Sequence, residues 1–489
     1  MPEQNDLELL LRSRTPIVVI ETLEEPRIVQ LFTRIGLRLG EPVFSWTVTE
    51  GLQRTEVDFG RLGFNTDPGD LLRHIKASAQ PGLYLLLDFH PYSKDPLHVR
   101  LIKEIAQNHT ETPKTLIFIS CSFDIPLEVR HLSARFELKL PDRSAIKRLI
   151  LEEAKAWQAR AHKPISTDPR AVEQLASNLS GVTASDARRL VRAAIEDDGA
   201  IGHDDLPKVM KAKYDLINQE GLISFEYDTA RFSDLAGLEH LKTWLESRRK
   251  LFHQGGGGLD RPKGIMLLGV QGGGKSLAAK AVAGSFGVPL LRLDFATLYN
   301  KYIGETEKNL RQALATAETM APCVLWMDEI EKGIAPDHSD DGVSQRILGT
   351  LLTWMAENKR GVFVVATSND IQRLPPELIR KGRLDEIFFV DLPGEASRRE
   401  IFNIHLRRRN QAPSRFDLET LCQASEGFTG AEIEQAIVSA LYGTHSRDEA
   451  LTTAHLLHEL EHTSPLSVVM AEKVSWLRAW ASGRTVAAG

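Results

Sequence analysis

Cysteine is scarce in this chain. Among 489 residues there are three, Cys121, Cys323 and Cys422, and they lie far apart. That excludes a disulfide framework and fits a reducing compartment. Long apolar runs are missing too. Ile265 to Leu268 and Cys323 to Met327 have the length of buried strands and fall far short of the ~20 residues of a membrane span. The opening MPEQNDLELL has no basic region followed by an apolar stretch, so no signal peptide is expected. The expectation is a soluble, cytoplasmic protein without a membrane span. A basic excess is also lacking: 66 acidic against 60 basic residues give a formal charge of -6. This argues against a dedicated duplex-DNA binder. Arg407 to Arg409 form a basic triplet, but consecutive residues point different ways on a helix and no nucleic-acid readout module accompanies them. No nucleic-acid partner is expected.

What is present is ordinary globular composition, 26% charged and 42% hydrophobic, with length for two or three domains. Short β-branched or leucine-rich runs at Pro16 to Thr22, Leu85 to His90 and Leu116 to Cys121 alternate with helical patterns. That alternation predicts an α/β fold with a parallel sheet. From Asp142 to about Asp198 the pattern is helical, with Ala145, Leu149 and Ile150 on one face. The second half repeats this order, with strand-like runs at Gly264 to Leu268, Leu290 to Leu293, Cys323 to Met327 and Val362 to Ala366, and helices from Gly394 onward. The four glycines Gly255 to Gly258 read as a surface hinge.

The halves match at a similar offset, Pro16 to Thr22 lying near Gly264 to Val270 at 248 residues. Leu116 to Ile125 lies over Val362 to Ile371, and Asn178 to Ile195 over Ala424 to Leu441, both 246 residues apart. A tandem of one α/β-plus-helices unit is expected, with only the second copy equipped for chemistry.

That equipment begins at Gly269 to Ser276, GVQGGGKS, between an apolar strand and a helix. It satisfies the phosphate-loop pattern G-x-x-x-x-G-K-[ST]. Glycines let backbone N–H groups curl around phosphates, and the helix start favours negative charge. Lys275 pairs with the terminal phosphates in such a loop and Ser276 ligates Mg²⁺. Fifty-two residues after Ser276, the run LWMDE delivers Asp328 and Glu329 at a strand end. Asp328 would hold Mg²⁺ through water, and Glu329 would orient the attacking water. Asn369 ends the strand VFVVATSN, where an amide can reach the water or the γ-phosphate. Arg380 and Arg383 flank Gly382, and an arginine presented across a subunit interface would stabilise transition-state charge.

Together these residues resemble the AAA ATPase family of the AAA+ superfamily, over Phe232 to about Gly483. The phosphate loop resembles Walker A without its usual prolines and threonine, and LWMDE resembles Walker B. Asn369 falls on sensor 1 and Arg383 on the arginine finger. The resemblance implies ATP and Mg²⁺ as cofactors. It implies nucleotide contacts from Gly269, Val270, Gln271, Gly272, Gly273, Gly274, Lys275, Ser276 and Leu277. Further contacts are implied from Asp234 and Gly237 in FSDLAG, from His405, and from Gly430 and Ala431. It implies catalysis by Lys275, Glu329, Asn369 and, in trans, Arg383. It places Tyr302 on a pore loop, where a ring of aromatics grips an extended chain. The family often carries a second arginine three residues past the finger, and here that position is Glu386. A closer likeness, including the tail PLSVVMAEKVSWLRAWA, is to a poorly characterised cyanobacterial and plastid AAA family first named as a hypothetical chloroplast reading frame.

The fold implied is a P-loop AAA+ module, a parallel sheet plus an α-helical lid, preceded by a degenerate AAA-like α/β domain. Residues 1–200 are assigned to the degenerate domain, 201–228 to a linker, 229–391 to the large α/β domain, 392–465 to the lid and 466–489 to a C-terminal helix and tail. The first copy reads as disarmed. Arg27 stands where Lys275 maps, in the glycine-free TLEEPRI, Phe89 follows Asp88 where the catalytic glutamate belongs, and Phe123 replaces Asn369. The expected function is a homo-oligomeric ring, a hexamer, that hydrolyses ATP at subunit interfaces to remodel or thread a protein partner. The alternative is an ATP-dependent assembly switch or scaffold without threading. His458 to His462, HELEH, has the form of a zinc motif. Its charged Glu461 and its place within the lid pattern argue against a zinc protease.

Overall fold

The computed structural model describes residues 2–55, 65–218, 221–226, 235–254, 260–298, 305–334, 343–358, 360–380 and 382–489. Asp234, Tyr302 and the glycine stretch Gly255 to Gly258 lie outside the described residues. The chain divides into two compact units, Met1–Leu149 with Val182–Arg189, and Ile150–Gly181 with Leu190–Gly489.

The first unit holds β1 (Ile17–Glu21), β2 (Val43–Thr47), β3 (Gly51–Arg54), β4 (Gly82–Leu87), β5 (Lys114–Ser120) and β6 (Ser133–Phe136) in the order β3-β2-β4-β5-β1-β6. All neighbours are parallel except β3, which pairs antiparallel with β2. Every residue of β4 and β5 is buried, as a parallel sheet covered on both faces requires. Alternation along β1 sends Ile17 and Val19 to a core with Trp46, Phe89 and Phe118. Val18 and Ile20 join the other core, with Ile28, Phe32 and Ile35 of the helix Glu25–Leu39.

In the second unit, β7 (Ser166–Thr167) and β8 (Ala200–Ile201) form a short parallel pair within a mainly helical segment. The main sheet contains β9 (Ile223–Glu226), β10 (Gly264–Gly269), β11 (Leu290–Leu293), β12 (Cys323–Met327), β13 (Val362–Ser368), β14 (Glu386–Val390) and β15 (Val486–Ala487). Its order is β15-β14-β10-β13-β12-β11-β9, with β9 antiparallel at one edge. The inner five strands β14-β10-β13-β12-β11 repeat the order β6-β1-β5-β4-β2 of the first unit. Within each matched set of five, the strand that comes first in the chain lies between the last and the fourth, so the similar offset in sequence has a counterpart in topology.

The span 201–228, expected as a linker, contains the helix Asp205–Ile217 and β9. Met210, Tyr214 and Ile223 are buried in one core with Leu291, Leu293 and Leu314. An amphipathic helix with apolar residues at 206, 209, 210 and 214 has a face to bury, so this stretch is part of the module. Glu395–Arg408, Leu418–Ala424, Gly430–His445 and Thr453–Glu461 build a helical lid around Phe402, Leu406, Leu421, Ile433, Ile437 and Leu456. His458 and His462 are both exposed, and His462 Nδ1 lies 2.7 Å from the carbonyl of His458.

Candidate active site

Backbone geometry at the end of β10 dictates glycine. Gly272 has φ 78°, and a Cβ there would stand 2.9 Å from Thr429 Oγ1. Gly274, at φ 93°, caps the helix Lys275–Phe286 with no side-chain hydrogen bond. The first-turn N–H groups of that helix therefore remain available to an anion. Lys275 is buried at 7% exposure, and its Nζ donates to the carbonyls of Gly269 at 2.9 Å and Val270 at 2.7 Å. Burial pushes its pKa down to about 8, against the opposing pull of Glu331, Asp328 and Glu329.

Those acids are fixed by β13. Thr367 Oγ1 donates to Asp328 Oδ1 at 2.7 Å and accepts the backbone N–H of Glu329 at 3.0 Å. Glu329 has φ 47°, a left-handed conformation that is uncommon for a residue with a side chain. Asn369 Nδ2 donates to Glu329 Oε1 at 2.8 Å. Two cations also reach the pair: Arg292 Nη2 lies 3.2 Å from Asp328 Oδ2, and Lys332 pairs with Glu329 Oε2. The Asn369 N–H donates to Glu331 Oε1 at 3.0 Å, while Glu331 Oε2 is buried without a partner among the described residues.

One cavity of about 950 Å³ unites these groups. Gln271, Gly272, Gly273, Gly274, Lys275, Ser276 and Leu277 form its floor, and Asp328, Glu329, Thr367 and Asn369 stand on one side. Gly237, His405, Gly430 and Ala431, all expected at the nucleotide, line it as well. His405 is held below its usual pKa by burial, opposed by Glu434 at 3.3 Å. Gly269 and Val270 are not on the wall; their carbonyls face Lys275 instead. Arg383 is not on the wall either, and its Nη1 donates to the carbonyl of Leu352.

Sequence reasoning missed Thr367, Arg292, Lys332 and Ala487 to Gly489, which also line or adjoin the cavity. Thr367 stands two residues before Asn369, the spacing that puts two side chains on one face of a strand. Arg292 was legible only as a charge interrupting the apolar run LLRL.

The groups present suit a nucleoside triphosphate. A glycine cradle and a buried lysine meet phosphates, two carboxylates suit a divalent cation, and the volume is that of a cofactor pocket. Fold and site together define a P-loop nucleoside triphosphatase. Comparison with known proteins narrows the class. Residues 265–392 match the ATPase family associated with various cellular activities (AAA). Residues 3–138 match the N-terminal domain of SpoVK-like AAA ATPases, and residues 144–220 match their second domain. An uncharacterized AAA domain-containing protein, ycf46, of Pyropia yezoensis is 35% identical over 484 residues, covering 97% of each chain. A proteasome-activating nucleotidase of Aeropyrum pernix is 37% identical over 203 residues, 40% of this chain and 49% of its own. A cell division cycle protein 48 homolog of Archaeoglobus fulgidus is 34% identical over 221 residues, 43% of this chain and 30% of its own. The chain belongs to the AAA ATPase family, and as such it is an ATP hydrolase. No helix among the described residues is long and apolar enough to cross a membrane.

Proposed function

We propose that the chain hydrolyses Mg²⁺-bound ATP in this cavity as one subunit of a hexameric ring in the cytoplasm, and that turnover remodels or threads a protein partner. The observation that carries the reading is the hydrogen-bonded chain Asn369–Glu329–Thr367–Asp328 beside the glycine loop. In this scheme Lys275 and the first-turn N–H groups hold the phosphates. Gln271 to Leu277 shape the cradle, with Gly269 and Val270 orienting Lys275 from behind. Asp234, Gly237, His405, Gly430 and Ala431 flank the nucleoside. Ser276 and Asp328 hold the metal, which supplies charge neutralisation at the phosphates. Glu329, kept in place by Asn369, polarises the attacking water.

Arg383 acts in trans, stabilising charge at the next subunit's phosphates, and Tyr302 grips the partner chain. The name of one relative, a proteasome-activating nucleotidase, favours a protein over a nucleic acid as partner. The unit formed by Met1–Leu149 and Val182–Arg189 serves as a nucleotide-free recruiting or ring-shaping domain.

The test is ATPase rate against protein concentration, with Glu329→Gln and Arg383→Ala alongside and the complex sized in ATP. A per-subunit rate that climbs with concentration, a trapped hexamer and an inactive Arg383→Ala are the expected results. The second reading is an assembly switch without threading. It draws support from the two cations that engage Asp328 and Glu329 in cis, and from Glu386 where a second arginine is frequent. A rate independent of concentration that ignores Arg383→Ala would replace the shared-site reading with that one.

A further inference from the structure

The last residues of the chain form a wall of the nucleotide cavity that no step above uses. After the helix Ala471–Ala481, which buries Leu477 and Ala481 in the core, β15 joins the sheet beside β14. Phe388 pairs with Val486 and Phe389 with Ala487. The Ala488 N–H donates to the carbonyl of Phe389 at 3.0 Å. The Leu241 N–H donates to the carbonyl of Ala488 at 3.1 Å, and His240 Nδ1 lies 3.3 Å from the carbonyl of Ala487. Ala488 is fully buried in the core that contains Leu235, Leu241 and Val390. The tail is thus threaded between β14 and the segment 235–241, and Ala487, Ala488 and Gly489 face the cavity with Leu235, Ala236 and Leu238.

Chemistry assigns the parts of the lining. Phosphates belong at the glycine loop and Lys275. Leu235, Leu238, Ile401 and Ile404 supply an apolar part of the lining that fits a planar base. We propose that residues 485–489 are the base-side wall, positioning residues that hold the segment 235–241 in register and set the affinity for the nucleoside part of the ligand. The tail is continuous with the helix Ala471–Ala481, and Arg478 Nε of that helix lies 2.9 Å from both carboxylate oxygens of Asp391, next to the start of the lid. The inference rests on the reading of this cavity as the nucleotide site.

The experiment measures equilibrium binding of ADP and of inorganic tripolyphosphate, which lacks base and sugar. It compares the full chain, a variant ending at Arg484, and Gly489→Trp. A Cβ at position 489 would lie 3.2 Å from the Leu238 nitrogen, so a large side chain there intrudes on the cavity rim without removing the strand. The expected result is that both variants bind ADP at least tenfold more weakly and bind tripolyphosphate within twofold of the full chain. ADP affinity unchanged within twofold in both variants overturns the proposal. Equal weakening of both ligands with a lowered melting temperature also overturns it, because the tail is then only an edge strand of the fold. If the full chain binds neither ligand, the nucleotide reading of the cavity falls and this inference with it.

Discussion

The Glu24 carboxylate accepts the backbone N–H of Ala184 at 2.6 Å, at the start of the helix Ala184–Asp198. Its other oxygen pairs with Arg27 at 2.6 Å, and its side chain is only 5% exposed. Arg27 stands where the second half has Lys275, and Ala184 where it has Gly430. A carboxylate of the chain itself therefore bridges the counterparts of Lys275 and Gly430, two residues that line the cavity of the second unit. Nearby, Phe118 packs on Phe89 at 5.5 Å and on Phe123 at 4.6 Å, so aromatic core replaces the polar residues of the catalytic copy. Glu24→Ala removes the acceptor of a helix-start N–H and one of the partners of the Arg27 guanidinium. It should lower the stability of this unit by about 1–3 kcal/mol. Thermal unfolding of the full chain reads this, and added nucleotide should not restore the lost transition.

Glu329→Gln keeps an oxygen for the Asn369 amide but removes the charge that, in the proposed mechanism, polarises water. We expect kcat to fall roughly 100-fold or more with ADP affinity within about threefold. Phosphate release and equilibrium binding measure the two quantities separately. A variant that also loses affinity would show that Glu329 shapes the pocket instead of acting on water.

In the proposed scheme Arg292 competes with the metal for Asp328. Removing a partly exposed cation beside a carboxylate proposed to hold Mg²⁺ would strengthen the metal's attraction by about 1 kcal/mol, or roughly fivefold. Arg292→Met should therefore lower the Mg²⁺ concentration that half-saturates ATPase activity. An unchanged Mg²⁺ requirement would mean that the ion pair opens without cost when the metal binds.

Nucleotide affinity should depend on pH through Lys275. Burial brings its pKa down to about 8, whereas phosphate beside it favours the ammonium. Below about 8 the lysine is already charged and affinity is flat. Above it, binding must take up a proton and affinity falls as pH rises. Calorimetric titrations of ADP in two buffers of different ionisation enthalpy should show proton uptake at pH 9 and little at pH 6.5.

Lys213 adds a stability signature. It is fully buried, and its Nζ donates to the carbonyls of Asn178 at 2.8 Å and Ser180 at 2.6 Å. Burial lowers its pKa from 10.5 to about 7. Between these values the unfolded chain holds a proton that the folded chain has released, so this group makes stability rise with pH across that window. Comparing melting temperatures of the protein and Lys213→Met from pH 7 to 10 isolates the effect. The variant should lose that part of the slope.

Much of the fold was legible because β1, β4, β5, β10, β12 and β13 are buried on both faces and spell continuous apolar runs. β9 and β15 were not, because four and two residues at a sheet edge carry no period. The site divides in the same way. GVQGGGKS is contiguous, and Asp328 with Glu329 ends a strand, so local spacing exposes both. Thr367 and Arg292 act through neighbouring strands, where Arg292 is registered against Trp326 and Thr367 lies one residue past the partner of Met327. Register is a property of the folded sheet. Ala487 to Gly489 offer backbone and packing, and their side chains announce no chemistry.

The repeated strand order poses a problem for synthesis. A nascent chain that encodes the same five-strand arrangement twice presents each strand with a second, wrong set of neighbours, and tandem repeats misassemble by such exchange. The two sheets are closed by different means, β3 as an antiparallel hairpin arm in one, β9 and β15 at opposite edges in the other. The second sheet receives its outermost strand only once residue 487 has left the ribosome. The first unit, whose residues end at Arg189, can be complete by then. The chain thus separates in time two sheets that it does not separate in design.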